Sequence, residues 1–238
     1  MNLINLIKEK IKRKVGSIYL DDITRNEYNN QTYITFNERP VEYSFVFKHL
    51  ALQCPQMILD VGSGITSLPH LMQICGFKVT AIDNIKNYWP KGMQNRHFYI
   101  INDDIANSIL AEKFDFITCI STLEHITKYD DAVDHMFRLL KNGGKLVLTF
   151  PYNEKQYCKN VYMLEDSTAP KNLPFATQAF SRQQLTNWCQ KNNAKILEQE
   201  YWRYFSGDYW TTGERLKPPV KTDVNEKHQI TCLLISKQ

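Results

Sequence analysis

The residues able to do chemistry cluster at a glycine-rich turn and a series of acidic and hydroxyl-bearing strand ends. Asp60-Val61-Gly62-Ser63-Gly64 closes the apolar run Met57-Ile58-Leu59. Glycines at alternate positions take positive φ freely and let a ligand approach bare backbone. Asp83 follows nineteen residues after Gly64, with Asn84 beside it. A carboxylate there can accept both hydroxyls of a ribose whose other end rests over the turn. Asp103 and Asp104 offer further carboxylates, and Ser121 a hydroxyl, just ahead of Thr122-Leu123-Glu124-His125. His125 is the candidate general base, oriented by Glu124. The competing structural role is that either residue caps the next helix or touches a bound cofactor.

These residues need a scaffold that brings successive strand ends to one cleft. Strand candidates at Met57–Val61, Lys78–Ile82, His97–Ile101, Phe114–Ile120 and Lys145–Phe150 alternate with helices over Ser67–Cys75 and Tyr129–Leu140. Such alternation implies βαβ units and a parallel sheet covered on both faces. Pro40 starts a helix across Val41–Leu52, and Asn142-Gly143-Gly144 supplies a helix stop. Residues 17–39 read as loop. After Phe150, residues 151–177 and 206–228 also read as loops, the second containing Pro218-Pro219. Between and beyond them come a helix capped by Ser181 and Gln184 and strands at Ala194–Tyr204 and Gln229–Ser236. The expectation is an α/β three-layer sandwich. It has a mostly parallel seven-stranded sheet, an antiparallel C-terminal strand pair and an N-terminal helical extension over residues 1–39.

At 238 residues, 43% of them hydrophobic, the chain has enough apolar material for one sizeable core over residues 40–238. Its longest apolar runs fall far short of the ~20 residues that cross a bilayer, and the N-terminus lacks a secretory signal pattern. The six cysteines never form Cys-x-x-Cys, which argues against a metal site and suggests reduced thiols in a cytoplasmic protein. A net charge of +4 does not demand a polyanionic partner. Local charge is less even. Leu3, Ile7, Ile11 and Val15 recur every four residues among Lys8, Lys10, Lys12, Arg13 and Lys14, the pattern of an amphipathic basic helix. It serves as a cover or lid for the domain or, alternatively, as a weak contact with an anionic membrane surface.

In order and spacing, these motifs resemble the class I, Rossmann-like S-adenosylmethionine-dependent methyltransferases over about residues 40–238. Asp60-Val61-Gly62-Ser63-Gly64-Ile65-Thr66 is similar to that family's Asp/Glu-x-Gly-x-Gly-x-Gly turn, with Thr66 where a third glycine is usual. Phe114 to Ser121 resembles its fourth-strand motif, and Leu139 to Leu146 the turn into its fifth strand. The resemblance implies that S-adenosylmethionine is bound by Asp60, Gly62, Ser63, Gly64, Asp83, Asn84, Asp103, Asp104 and Ser121, with no metal. Asp83 would take the ribose hydroxyls. Asp104, with Asp103 as its competitor, would take the adenine amino group. The physical pattern agrees: Ser67 stands where a dinucleotide site has its third glycine, and acidic strand ends suit a cationic sulfonium.

The acceptor must be inferred from weaker signals. The segment Ser121-Thr122-Leu123-Glu124 differs from the Asn-Pro-Pro-Tyr-type tetrad that marks base amino-methylation in this family, which speaks against nucleic acid. The expected acceptor is a small or conjugated molecule methylated on oxygen or nitrogen. Tyr152 and Tyr157 are candidate walls of its site, although loop aromatics more often pack onto a core. The Arg39 to Tyr43 segment offers polar acceptor contacts or an Arg–Glu surface pair. Two alternatives are a non-catalytic partner subunit with the same fold and a membrane-associated lipid methyltransferase anchored by residues 3–15.

Overall fold

The computed structural model describes residues 3–30, 36–89, 92–93 and 95–238. The chain divides into two compact units, Met1–Pro40 and Val41–Gln238. The first contains α1 (Leu3–Asn30), a single helix. The basic helix expected over residues 3–15 therefore continues through 17–30, where a loop was expected; residues 31–35 lie outside the described ones. Exposed pairs at helical spacing, Lys12–Glu9 and Arg25–Asp21, support turns along its length. The polar composition that suggested a loop belongs to a helix with solvated faces. Among the described residues, no helix is long and apolar enough to cross a membrane.

From Arg39 onward the order is α2 (Arg39–Gln53), β1 (Met57–Val61), α3 (Leu68–Ile74), β2 (Lys78–Asp83), α4 (Ile85–Tyr88), β3 (Ile101–Asn102), β4 (Phe114–Ile120), α5 (Tyr129–Leu139), β5 (Leu140–Pro151), α6 (Arg182–Lys191), β6 (Ala194–Phe205), β7 (Arg215–Thr222) and β8 (Ile230–Lys237). The strands form one sheet in the order β3-β2-β1-β4-β5-β8-β6-β7. The first five run parallel, whereas β8 is antiparallel to β5 and β6, and β7 to β6. Among the described residues the sheet thus has eight strands where seven were expected. The extra one, β7, lies within residues 206–228, and its Pro218-Pro219 suggested a loop. Proline cannot donate to a ladder, but β7 is an edge strand with a neighbour on one side only, where proline is tolerated.

Side-chain alternation splits the core into two layers. Ile58 of β1, Phe116 and Ile120 of β4 and Val147 of β5 pack with Phe45, Val46 and Leu50 of α2 and Leu68 and Met72 of α3. Leu59 and Val61, with Ile117, Cys119, Leu146 and Leu148, face Val133, Met136 and Phe137 of α5 and Leu185 and Trp188 of α6. On α6 the predicted capping box is present, with Ser181 N–H donating to Gln184 Oε1 at 3.0 Å. The third strand is shorter than the expected His97–Ile101. Asn95 Oδ1 accepts from the N–H groups of His97 and Phe98, which folds that stretch into a turn and leaves only Ile101 and Asn102 to pair with β2. Strand order reverses between β1 and β4, and in an open α/β sheet a ligand crevice forms at such a reversal.

Candidate active site

The glycine turn sits at that reversal. Gly62 and Gly64 have φ of +72° and +52°, in the region that side chains disfavour. A Cβ on Gly62 would lie 2.0 Å from Thr122 Cγ2, so the turn after β1 and the segment after β4 interlock. Thr122 Oγ1 also donates to the Gly62 carbonyl at 3.1 Å. Beneath them Asp60 is buried. It accepts from Ser63 Oγ at 2.5 Å through Oδ2 and from Thr118 Oγ1 at 2.6 Å through Oδ1, bracing the turn against β4. Thr66 returns both its N–H and its hydroxyl to the Ser63 carbonyl, at 3.1 and 2.8 Å. It closes the turn where the related motif has glycine.

Asp83 ends β2 beside this turn and is 8% exposed. Its Oδ2 accepts from Gly64 N–H at 2.8 Å, and its Oδ1 from the Trp89 indole N–H at 3.0 Å. Burial raises its pKa, partly opposed by the Gly64 and Trp89 hydrogen bonds. Asn84 follows as the residue preceding α4, its carbonyl accepting from Tyr88 N–H at 2.9 Å. On the neighbouring strand end, Asp103 N–H donates to the Asp83 carbonyl at 3.0 Å, and Asp103 Oδ2 accepts from Ser108 Oγ at 2.6 Å. Asp104 caps the short turn Ile105–Asn107, with Oδ1 accepting from Ala106 N–H at 3.0 Å. Three carboxylates and a bare-backbone turn thus share one sheet edge.

The end of β4 is tied down differently. Ser121 has φ +44°, a rare conformation for a residue with a side chain. Its hydroxyl and that of Thr149 both donate to Glu42 Oε1 at 2.6 Å. Glu42 is fully buried, which corrects the alternative of an Arg–Glu surface pair: this carboxylate links α2 to the ends of β4 and β5.

Comparison with known proteins bears on the family and the fold. A methyltransferase-domain family model matches residues 38–199. The chain belongs to that family. It is an S-adenosylmethionine-dependent methyltransferase of class I. Among its relatives is the ubiquinone biosynthesis O-methyltransferase of Coxiella burnetii, 26% identical in an alignment of 169 residues that covers 67% of this chain and 71% of the relative. Among solved structures, the 1,6-didemethyltoxoflavin-N1-methyltransferase of Burkholderia thailandensis, bound to 1,6-didemethyltoxoflavin and S-adenosylhomocysteine, shares the fold. Its TM-score is 0.56 at 11% identity, covering 93% of this chain and 88% of that one. TehB from Haemophilus influenzae gives 0.52 at 16% identity over 89% of this chain and 66% of that chain. The donor's chemistry fits the residues present. Buried carboxylate and positive-φ backbone can take a cationic, hydroxyl-rich ligand, and no phosphate cradle is needed.

Beyond the end of β4, His125 ends a short turn, Leu123–His125. Its Nδ1 lies 2.9 Å from the Ala176 carbonyl and its Nε2 3.9 Å from Glu124 Oε1. Phe175 meets the imidazole edge-on at 4.9 Å, and Tyr88 lies 6.4 Å away. Burial pushes the Tyr88 phenol up to about 12. Tyr157 is half-buried, donating to Gln178 Oε1 at 2.6 Å. Tyr152 is fully buried in the α5–α6 layer and donates to Glu154 Oε2 at 2.8 Å. That is the core role that loop aromatics more often have. Sequence reasoning passed over Trp89, Thr122, Phe175 and Asn95 as site residues. Their partners, Asp83, Gly62, His125 and the Gly64 carbonyl, lie on other segments or emerge only from the fold, so no local spacing marks them.

Proposed function

We propose that this methyltransferase acts on the oxygen of a small hydroxylated molecule, with the donor held at the β1–β2 edge and His125 as the base. In this reading Asp83 takes the ribose hydroxyls and Asp104, or Asp103 beside it, the adenine amino group. Backbone at Gly62 and Gly64 lies against the amino-acid end, while Asp60 and Ser121 hold the turns that flank it. When bound, the donor supplies an activated methyl carbon on a sulfonium.

The chain's own tasks are to align the acceptor, exclude water and take a proton. The geometry of His125 carries the proposal. A carbonyl oxygen only accepts, so the contact with Ala176 puts the ring proton on Nδ1 and leaves the Nε2 lone pair as the basic site. Nε2 would remove the hydroxyl proton as the new oxygen–carbon bond forms, and Glu124 would stabilise the imidazolium at 3.9 Å. The O-methyltransferase relatives support oxygen over nitrogen as the target.

The test is methyl transfer from isotope-labelled S-adenosylmethionine to a panel of small phenols, sugars and amines. Label on oxygen is expected, with loss of transfer in His125→Ala. Label confined to nitrogen, or turnover in His125→Ala within a few-fold of wild type at every pH, would contradict the assignment.

A further inference from the structure

Asp83 already holds a partner from within the chain. The Trp89 indole N–H donates to its Oδ1 at 3.0 Å, and the same ring lies over the glycine turn, with Cζ2 at 3.5 Å and Cη2 at 3.9 Å from where a Gly64 Cβ would stand. The indole thus covers bare backbone and caps the buried carboxylate, the two features that a bound adenosyl sugar requires. Neighbouring contacts hold it in place. Tyr88 packs edge-on against Trp89 at 6.0 Å and lies 6.3 Å from Phe175. Asn95 Nδ2 donates to the Gly64 and Thr66 carbonyls at 2.9 and 2.8 Å, fastening the same side of the turn.

We propose that Trp89 is an autoinhibitory gate of the donor site: its indole occupies the place of the donor's ribose, and S-adenosylmethionine binds only after that ring leaves Asp83. This rests on the donor assignment above. The physical reason is competition for one oxygen and one surface. A hydrogen bond to a buried carboxylate is among the stronger kinds, and the ring that makes it fills the volume beside Gly64. A donor meeting the closed arrangement has its affinity reduced by the fraction of molecules that are open. Removing the indole N–H while keeping an aromatic ring should therefore favour the open form.

The experiment is calorimetric titration of S-adenosylhomocysteine into wild type, Trp89→Phe and Trp89→Leu. The proposal expects Trp89→Phe to bind about tenfold more tightly than wild type, the scale of one charge-assisted hydrogen bond. Trp89→Leu should shift in the same direction, and it keeps the test available if the phenylalanine variant folds poorly. The Trp89 contribution to emission, taken as wild type minus Trp89→Phe, should move to longer wavelength when ligand is added, as the indole leaves Asp83. Equal or weaker binding by both variants, or an unmoved emission difference, would overturn the gate while leaving the donor site intact. Binding by none of the three proteins would overturn the donor assignment and the gate with it. Binding by the variants but not by wild type would support the gate in its strongest form.

Discussion

The edge proposed to hold the donor and the edge proposed to meet the acceptor are built from different materials. At the donor edge, position is set by backbone conformation and by carboxylates at strand ends. Gly62 and Gly64 occupy positive φ, Asp60 is fixed by two hydroxyls, and Asp83 is bonded to Gly64 itself. At the acceptor edge, position is set by side chains from separate loops, as when His125 meets Phe175 and the Ala176 carbonyl. The lesson is one of separable duties. On the proposed assignment, the common substrate is held by features that strand geometry dictates, while the individual one meets residues that a loop can exchange at little cost to the sheet.

The largest effect expected from this division is kinetic. His125→Ala should lower turnover by about 10²–10³-fold, the usual contribution of a positioned base, while S-adenosylhomocysteine affinity stays within about twofold on the same reasoning. A matching loss of ligand affinity would place His125 on the donor side and blur the comparison. Next comes Gly62→Ala, which combines positive φ with a 2.0 Å approach to Thr122 Cγ2. A turn that relaxes to relieve strain of about 2 kcal/mol must be re-formed to take the donor, which predicts roughly 30-fold weaker donor binding, measured by calorimetry.

The pH dependence of the donor edge is smaller but has a definite sign. Burial raises the Asp83 pKa, so just above the ordinary aspartate range the folded chain keeps a proton that the unfolded chain has released. Asp83 therefore lowers stability as pH rises through that window. Donor affinity should run the other way, strengthening over the same window as the carboxylate ionises to accept ribose hydroxyls, and Asp83→Asn should flatten the profile. The smallest effects are on stability. Thr118→Val leaves Asp60 short of a buried donor and should cost about 1.5–3 kcal/mol in denaturant unfolding, the range for bonds to charged groups. Tyr157→Phe at the acceptor edge should cost about 0.5–1.5 kcal/mol, the range for neutral bonds. Equal losses would remove the energetic contrast between the two edges.

The same contrast explains what could be read from the chain. The alternation of strands and helices, the Gly62–Gly64 turn and the Asp83 spacing are local patterns, and the structure brings them together at one sheet edge. The capping box at Ser181 and Gln184 was legible for the same reason, because its partners are three residues apart. What was missed depends on distant partners or on context. Edge placement makes Pro218-Pro219 compatible with a strand. The polar residues 17–30 are helical with no apolar stripe to announce it. Glu42 stood open between an acceptor contact and a surface pair because its hydroxyl partners, Ser121 and Thr149, are 79 and 107 positions away. Trp89 bonds Asp83 across six residues in a segment without a recognisable motif.

The claim on which the account turns is that the Asp83 carboxylate holds the donor. Titrating S-adenosylhomocysteine into wild type and Asp83→Ala by calorimetry tests it most directly. Affinity is expected to be weaker by about 30-fold, ~2 kcal/mol for hydrogen bonds to a charged group, even though the substitution also frees Trp89. Unchanged affinity in a folded Asp83→Ala protein would contradict it.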